Sequence, residues 1–311
     1  MIQIGNVTIK DKIILSPMAG ISDSPYRQIC REMGSGLSFT EFVSTDAISH
    51  NSKKSIDMFR YQEMERPIIF QIFGNKIDVI TEAAKIIAEL KPDIIDLNMG
   101  CSVSKVAHKG SGAGLLKNLP YAGKIIESLR KAVDVPVTAK IRIGWDLNSL
   151  NYKETVKVLQ ESGVCAISVH GRTKSMAYSG VANWNVIAEI KSMASVPIFG
   201  NGDIQSHEEA IQKMKETNVD GVLIGRAAIG NPWIFSNVKR EGLDFSEIKR
   251  IILRHLDLMV NFYGEKFGII LFRKHVAKYL KGFYGVSELK NNLMQVTTYE
   301  DFVRTINEYS P

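Results

Sequence analysis

The residues of this sequence best placed to do chemistry are a thiol, an ammonium, an imidazole and two glycine turns. Cys101 follows Asn98-Met99-Gly100 and opens a loop that runs on to Ser111-Gly112-Ala113-Gly114. A cysteine is more often a small buried hydrophobe, but in a glycine-rich loop a thiol can deliver a proton to a substrate carbon. Lys140 sits within the run VTAKIR from Val137, and an ammonium among apolar neighbours needs an anionic or acceptor partner. A carboxylate such as Asp96 can serve, as can the negative charge a reduced flavin spreads over N1 and its C2 carbonyl. A Schiff-base lysine is a third chemistry. His170 can orient a ligand or act as a general acid near neutral pH, or can be a satisfied structural histidine. Arg172 and Lys174 just beyond it would form a basic rim suited to nucleic-acid phosphate, against the plainer reading of solvated charge. Asn201-Gly202-Asp203 and Gly225-Arg226 can offer backbone N–H groups to an anion, with Arg226 able to bind phosphate through two donors. The plainer reading there is two turn glycines and a surface arginine.

These residues share a position relative to the elements that carry them. Eight short β-branched runs recur, beginning at Ile13, Leu37, Ile68, Ile94, Val137, Ala166, Pro197 and Gly221. They are continuously apolar, as parallel strands covered on both faces are. Amphipathic stretches separate most of them, for example Asp78 to Leu90, Glu154 to Gly163 and His207 to Glu216. Eight βα units ending near residue 237 predict a (β/α)8 TIM barrel over residues 1–240. The rival, a doubly wound open sheet, lacks its GxGxxG turn, because the first strand runs into Ser16-Pro17-Met18-Ala19-Gly20. In a barrel the C-terminal strand ends face the mouth. Polar or glycine residues sit at most of those ends: Pro17 to Gly20, Gln71, Asn98 and Cys101, Lys140 and Arg142, His170 to Arg172, Asn201 to Asp203, and Gly225-Arg226.

Composition narrows the function classes. The 45% apolar content and 24 glycines are those of a chain that buries a sizeable core, which excludes a disordered protein. No apolar stretch is long enough to span a membrane, and MIQIGNVTIKDK lacks the layout of a signal peptide, so a cytoplasmic protein is expected. Cys30, Cys101 and Cys165 lie far apart with no CxxC pair, so neither a disulfide framework nor a metal site is expected. The net charge of +6 favours an anionic partner.

From Phe245 to residue 311 no strand is evident, and helical periods broken near Tyr263-Gly264, Gly282 and Gly285 predict a small all-helical domain. Its segment Gly268 to Gly282 contains no acidic residue. Phe272, Val276, Tyr279, Leu280 and Phe283 fall on one helical face, and Lys274, Lys278 and Lys281 fall on the opposite one. A lysine face is often only solvated surface, but one without compensating acids suits an RNA backbone.

With these residues in place, the chain resembles the tRNA-dihydrouridine synthase family, most closely its bacterial B type. The resemblance runs through LSPMAGISDSPYR, FQIFG, DLNMGC, TAKIRIGWD, SVHGRT, AYSGVANW, FGNGDI and IGRAAIGNPWIF into RKHVAKYLKG, essentially the whole chain. It implies an FMN enzyme that takes hydride from NADPH or NADH and reduces uridine in tRNA to 5,6-dihydrouridine. In that resemblance Pro17, Met18 and Ala19 line the flavin ring, Gln71 and Lys140 bind it, and His170 stands nearby. Asn201, Gly202, Asp203, Gly225 and Arg226 hold its phosphate, and Cys101 protonates uracil C5. Asn98, Lys105, Arg172 and the three stripe lysines would meet RNA, and the protein would act as a monomer. Ser102 departs from the family pattern, in which proline often follows the cysteine. Ribosomal RNA is the alternative substrate. A flavin barrel for free pyrimidines would have no use for the basic helical domain, and an RNA-binding protein that has lost catalysis would carry no flavin.

Overall fold

The computed structural model describes residues 1–309. The eight apolar runs form the strands β1 (Ile13–Leu15), β2 (Ser38–Phe39, resuming as Val43–Ser44), β3 (Ile68–Phe73), β4 (Ile94–Met99), β5 (Val137–Arg142), β6 (Ile167–His170), β7 (Ile198–Asn201) and β8 (Gly221–Ile224). All neighbours are parallel, in the ring order β1-β8-β7-β6-β5-β4-β3-β2, and only the seam between β1 and β2 lacks ladder hydrogen bonds. This is the expected TIM-barrel architecture. Nearly every strand residue is buried, because helices cover the outside while side chains fill the ring.

Each helix turns a short apolar stripe onto the strands. From Ile77–Ala88 the buried residues are Ile80, Ala83, Ala84 and Ile87, and truncating such an isoleucine to alanine costs about 2–5 kcal/mol. Side-chain caps set several helix starts: Asn118 accepts from Tyr121 N–H, Asn183 from Val186 and Ser206 from Glu209.

Two features differ from the expectation. An N-terminal hairpin, Ile2–Ile4 paired with Val7–Ile9, precedes the barrel. Its Ile2, Ile4 and Ile9 pack on Phe39, Ile69, Ile94 and Phe199, closing the ring at the end opposite the mouth. The eighth unit also has no α-helix of its own. Gly230 at φ 75° and Pro232 leave only the 3-10 turns Arg226–Ala228 and Pro232–Phe235.

The remaining helices are Phe245–Tyr263, Glu265–Tyr279, Val286–Gln295 and Tyr299–Glu308. The breaks fall at Gly264, Gly282 and Gly285, all at positive φ where glycine is unstrained. Their core, with Leu256, Phe272, Val276, Leu293 and Phe302, also takes in Trp233 and Ile29 of the barrel. The junction is polar as well. Tyr26 packs its ring against His255 and His275, Tyr263 donates to Asp23 at 3.1 Å, and Lys274 donates to the Gly20 carbonyl. No described helix is long and apolar enough to cross a membrane.

Candidate active site

A cavity of about 390 Å³ opens at the C-terminal ends of the strands, within the range of small-molecule sites. Pro17, Met18 and Ala19 line it from the turn after β1, Asn98 and Cys101 from β4, Lys140 from β5, His170 and Arg172 from β6, Asn201 to Asp203 from β7, and Gly225 and Arg226 from β8. These residues are distant in sequence and meet because each lies at, or just beyond, the C-terminal end of a strand of one ring.

Cys101 is half-buried, and its position is fixed from both sides. Asn98 Oδ1 accepts the N–H groups of Gly100 at 3.1 Å and Cys101 at 2.9 Å. Arg142 Nε donates to the Gly100 carbonyl at 2.8 Å, and Ala113 N–H donates to the Cys101 carbonyl at 3.2 Å. Gly112, at φ 57°, lies so close that a Cβ there would come within 3.0 Å of the Cys101 Cβ. Burial raises the thiol pKa, against smaller opposing effects of Val103 N–H and Arg142. The sulfur therefore carries its proton at neutral pH, as a proton donor must. The other cysteines differ: Cys30 is buried in the barrel core, and Cys165 packs partly buried against the hairpin cluster.

Polar side chains inside the ring are in register across neighbouring strands. Gln71 is level with Asp96, Asp96 with Thr138, Asn98 with Lys140, Arg142 with His170, and His170 with Asn201. Lys140 is buried and donates to Asn201 Oδ1 at 3.0 Å, while Asn201 is itself held by its Nδ2 on the Leu223 carbonyl at 2.8 Å. Burial lowers the Lys140 pKa to about 8, with the Arg142 charge adding to it and Asp96 opposing. Burial raises Asp96 to about 6. His170 is depressed to about 2, by burial first and then by Lys140, Arg142, Arg172 and Arg226, so its imidazole is neutral and can offer one donor and one acceptor.

At the opposite pole, Gly202 at φ 135° and Asp203 at φ 58° turn the chain after β7. Among the described residues, no turn or loop hydrogen bond takes up the N–H groups of Gly202, Asp203, Gly225 or Arg226. With the exposed Arg226 guanidinium they make an anion pole. The Asp203 carboxylate lies beside it: it accepts from Arg172 Nη2 at 2.7 and 2.8 Å and from Ala182 N–H at 2.8 Å, and at 3.4 Å from Arg226 Nη2, which keeps its other donors for a ligand.

Three positions correct the sequence reading. Arg172 is only 2% exposed, and besides Asp203 it binds the Ser179 and Gly180 carbonyls at 3.0 and 2.6 Å. It braces the loop after β6 and is no solvent-facing rim, since its donors are consumed by partners that the sequence does not place nearby. Gln71 is fully buried and lies below the cavity wall, with its amide joined to Asp96 and Asn98. Lys274 is half-buried at the junction with Gly20, so the lysine stripe is divided: only Lys278 and Lys281 are exposed. Lys105 is exposed beside Cys101 on the short helix Ser104–Ala107.

Arg142, named at its strand end but given no role, lines the cavity, and so do Tyr178 and Phe42, which were not singled out. The alternation Thr138, Lys140, Arg142 puts all three on one face of β5, which is why Arg142 shares the mouth with Lys140. Tyr178 stacks under Arg226 at 5.2 Å from a loop without periodicity.

A (β/α)8 barrel that gathers a half-buried thiol, a buried lysine and free N–H groups beside an arginine around one mouth has the form of a barrel enzyme. Among solved structures the chain resembles histamine dehydrogenase from Rhizobium sp. 4-9, with a TM-score of 0.60 at 12% identity over 89% of this chain and 50% of that one. In sequence, the dihydrouridine synthase (Dus) family profile matches residues 14–310. The tRNA-dihydrouridine synthase B of Pseudomonas syringae pv. tomato is 41% identical, covering 93% of this chain and 88% of its own length. That of Pseudomonas aeruginosa is 40% identical, covering 93% and 90%. The chain belongs to the dihydrouridine synthase family.

Proposed function

We propose that this protein reduces uridine in tRNA to 5,6-dihydrouridine, with FMN in the barrel mouth and NADPH or NADH as reductant. The observation that carries the reading is that a protonated thiol and an anion pole line one cavity in a chain of this family. The residues present fit FMN. The N–H groups of Gly202, Asp203, Gly225 and Arg226 and the Arg226 guanidinium suit a phosphate. Pro17, Met18 and Ala19 offer an apolar wall for the ring, and the Lys140 ammonium suits the edge where a reduced flavin gathers negative charge.

When bound and reduced, FMN supplies the hydride that uracil C6 accepts. The chain supplies the rest. Cys101 gives its proton to C5, so hydride and proton together saturate the C5–C6 bond, and the thiolate then recovers a proton from solvent. Asn98 holds the thiol loop and presents a polar side chain to the cavity. The uridine must leave its stack to reach the mouth, at a cost of a few kcal/mol. The exposed Lys105, Lys278 and Lys281 offer phosphate contacts that offset part of it. This gives the tRNA a path over both the barrel rim and the helical region.

The test is direct. Purified protein is expected to be yellow, to bleach with NADPH, and to form dihydrouridine in tRNA from cells lacking this enzyme. A colourless protein that leaves such tRNA unchanged contradicts the reading, and product in ribosomal RNA alone moves the substrate there.

A further inference from the structure

Beneath the cavity a line of hydrogen bonds connects the most deeply buried carboxylate of the ring to the thiol loop. Asp96 is fully buried; its Oδ1 accepts from Thr138 Oγ1 at 2.7 Å and its Oδ2 from Gln71 Nε2 at 2.8 Å. Gln71 Oε1 then accepts from Asn98 Nδ2 at 2.9 Å. Asn98 Oδ1 in turn accepts the N–H groups of Gly100 and Cys101.

An amide side chain can present either its oxygen or its nitrogen to a neighbour, so a row of two amides has two possible directions. Here both ends choose the same one. The backbone N–H groups of Gly100 and Cys101 can only donate, and an ionised carboxylate can only accept. Gln71 must therefore point its nitrogen at Asp96, and Asn98 must point its nitrogen at Gln71 and its oxygen at the loop. The loop end alone is enough to set that direction; what the carboxylate adds is a charge-assisted acceptor at the far end of the row, about twice as strong as a neutral one. Gln71 N–H is also held, by Thr40 Oγ1 at 3.1 Å, so the backbone of the middle member does not swing to compensate.

We infer that Asp96 is a positioning residue for the proton-transfer step: acting through Gln71 and Asn98, its carboxylate anchors the far end of the amide row that pins the Cys101 loop. It touches neither the cavity nor any reacting atom, and it acts at a distance of two side chains. The inference deepens the functional reading above, because the loop it holds carries the proton donor.

Asp96→Asn keeps the shape and replaces the charge-assisted acceptor of Gln71 Nε2 with a neutral one. The readout is the alkylation rate of Cys101 by iodoacetamide in the flavin-loaded protein without RNA, followed at that residue by peptide mass spectrometry. Weakening that hydrogen bond from charge-assisted to neutral corresponds to about a five- to tenfold faster reaction. Gln71→Met, which breaks the row in the middle, should do the same, and the double variant should be no faster than Gln71→Met alone. An Asp96→Asn protein that melts like the parent but alkylates Cys101 at the parent rate overturns the inference, as do additive effects. The measurement needs no turnover: altered reactivity in a protein that reduces no uridine would sink the functional reading and leave the relay standing.

Discussion

The Lys140 ammonium donates to Asn201 Oδ1 at 3.0 Å. Asp96, on the adjacent strand, takes its hydrogen bonds from Thr138 and Gln71 instead. Among the described residues Lys140 makes no ion pair. A buried cation whose hydrogen-bond partner is a neutral amide suits an anionic ligand, which favours the proposed ligand site over a pairing with Asp96.

Replacing Lys140 by Met should therefore separate binding from stability. Losing a hydrogen bond from a charged donor costs about 1.5–3 kcal/mol, equivalent to a roughly 10- to 100-fold weaker flavin affinity. The flavin-free variant should melt no lower than the parent, because burial already works against the ammonium. Flavin titration and a thermal melt of the flavin-free proteins check both, and unchanged flavin affinity would remove Lys140 from the cofactor site.

The divided lysine stripe makes a second expectation. Lys278→Ala with Lys281→Ala should lower the slope of log affinity for tRNA against log salt by up to about 0.9 per lost contact on duplex RNA. Lys274→Met should act on the fold, because its ammonium joins Gly20 and lies near Asp23. A thermal melt should show that loss without RNA present. Salt titrations that leave the slope of the double variant at the parental value would move the RNA contact elsewhere.

The junction also predicts a pH dependence. Burial lowers His275 from an ordinary value of 6.5 to about 3, with Lys274 adding to it, and neither ring nitrogen has a partner among the described residues. The unfolded chain then takes up a proton near 6.5 that the folded chain refuses until about 3. The stability from this group is present above 6.5 and is lost as pH falls through that window. His275→Phe should match or exceed the parent at neutral pH, and its stability should fall less steeply below 6.5, by about 1.4 kcal/mol per pH unit. Denaturant melts across that range are the check, and parallel curves for the two proteins would contradict it.

Much of the fold was legible because strands buried on both faces leave unbroken apolar runs. Lys140 and Cys101 stood out for the same reason, as a charge and a thiol where neighbours were apolar or glycine. What escaped depended on partners remote in sequence. Arg172 reads as a surface cation until Asp203 is brought to it, and Lys274 reads as one of three equivalent lysines until Gly20 lies beside it. His255 and His275 gave no sign, because a helix face does not reveal which element will cover it. The hairpin was missed despite a usable signal, Gly5-Asn6 between two short apolar pairs, with Gly5 at φ 57° where a side chain would also collide with Pro136.

The central claim, that Cys101 protonates a uracil carbon, is tested most directly by a single turnover. The FMN protein is reduced with NADPH, freed of excess reductant and mixed with tRNA lacking dihydrouridine, and both flavin reoxidation and dihydrouridine are measured. The parent should form about one dihydrouridine per flavin reoxidised. Cys101→Ala should keep its flavin and its reduction by NADPH but form product about 10²–10⁴-fold more slowly. Product formation by Cys101→Ala at the parental rate would contradict the claim.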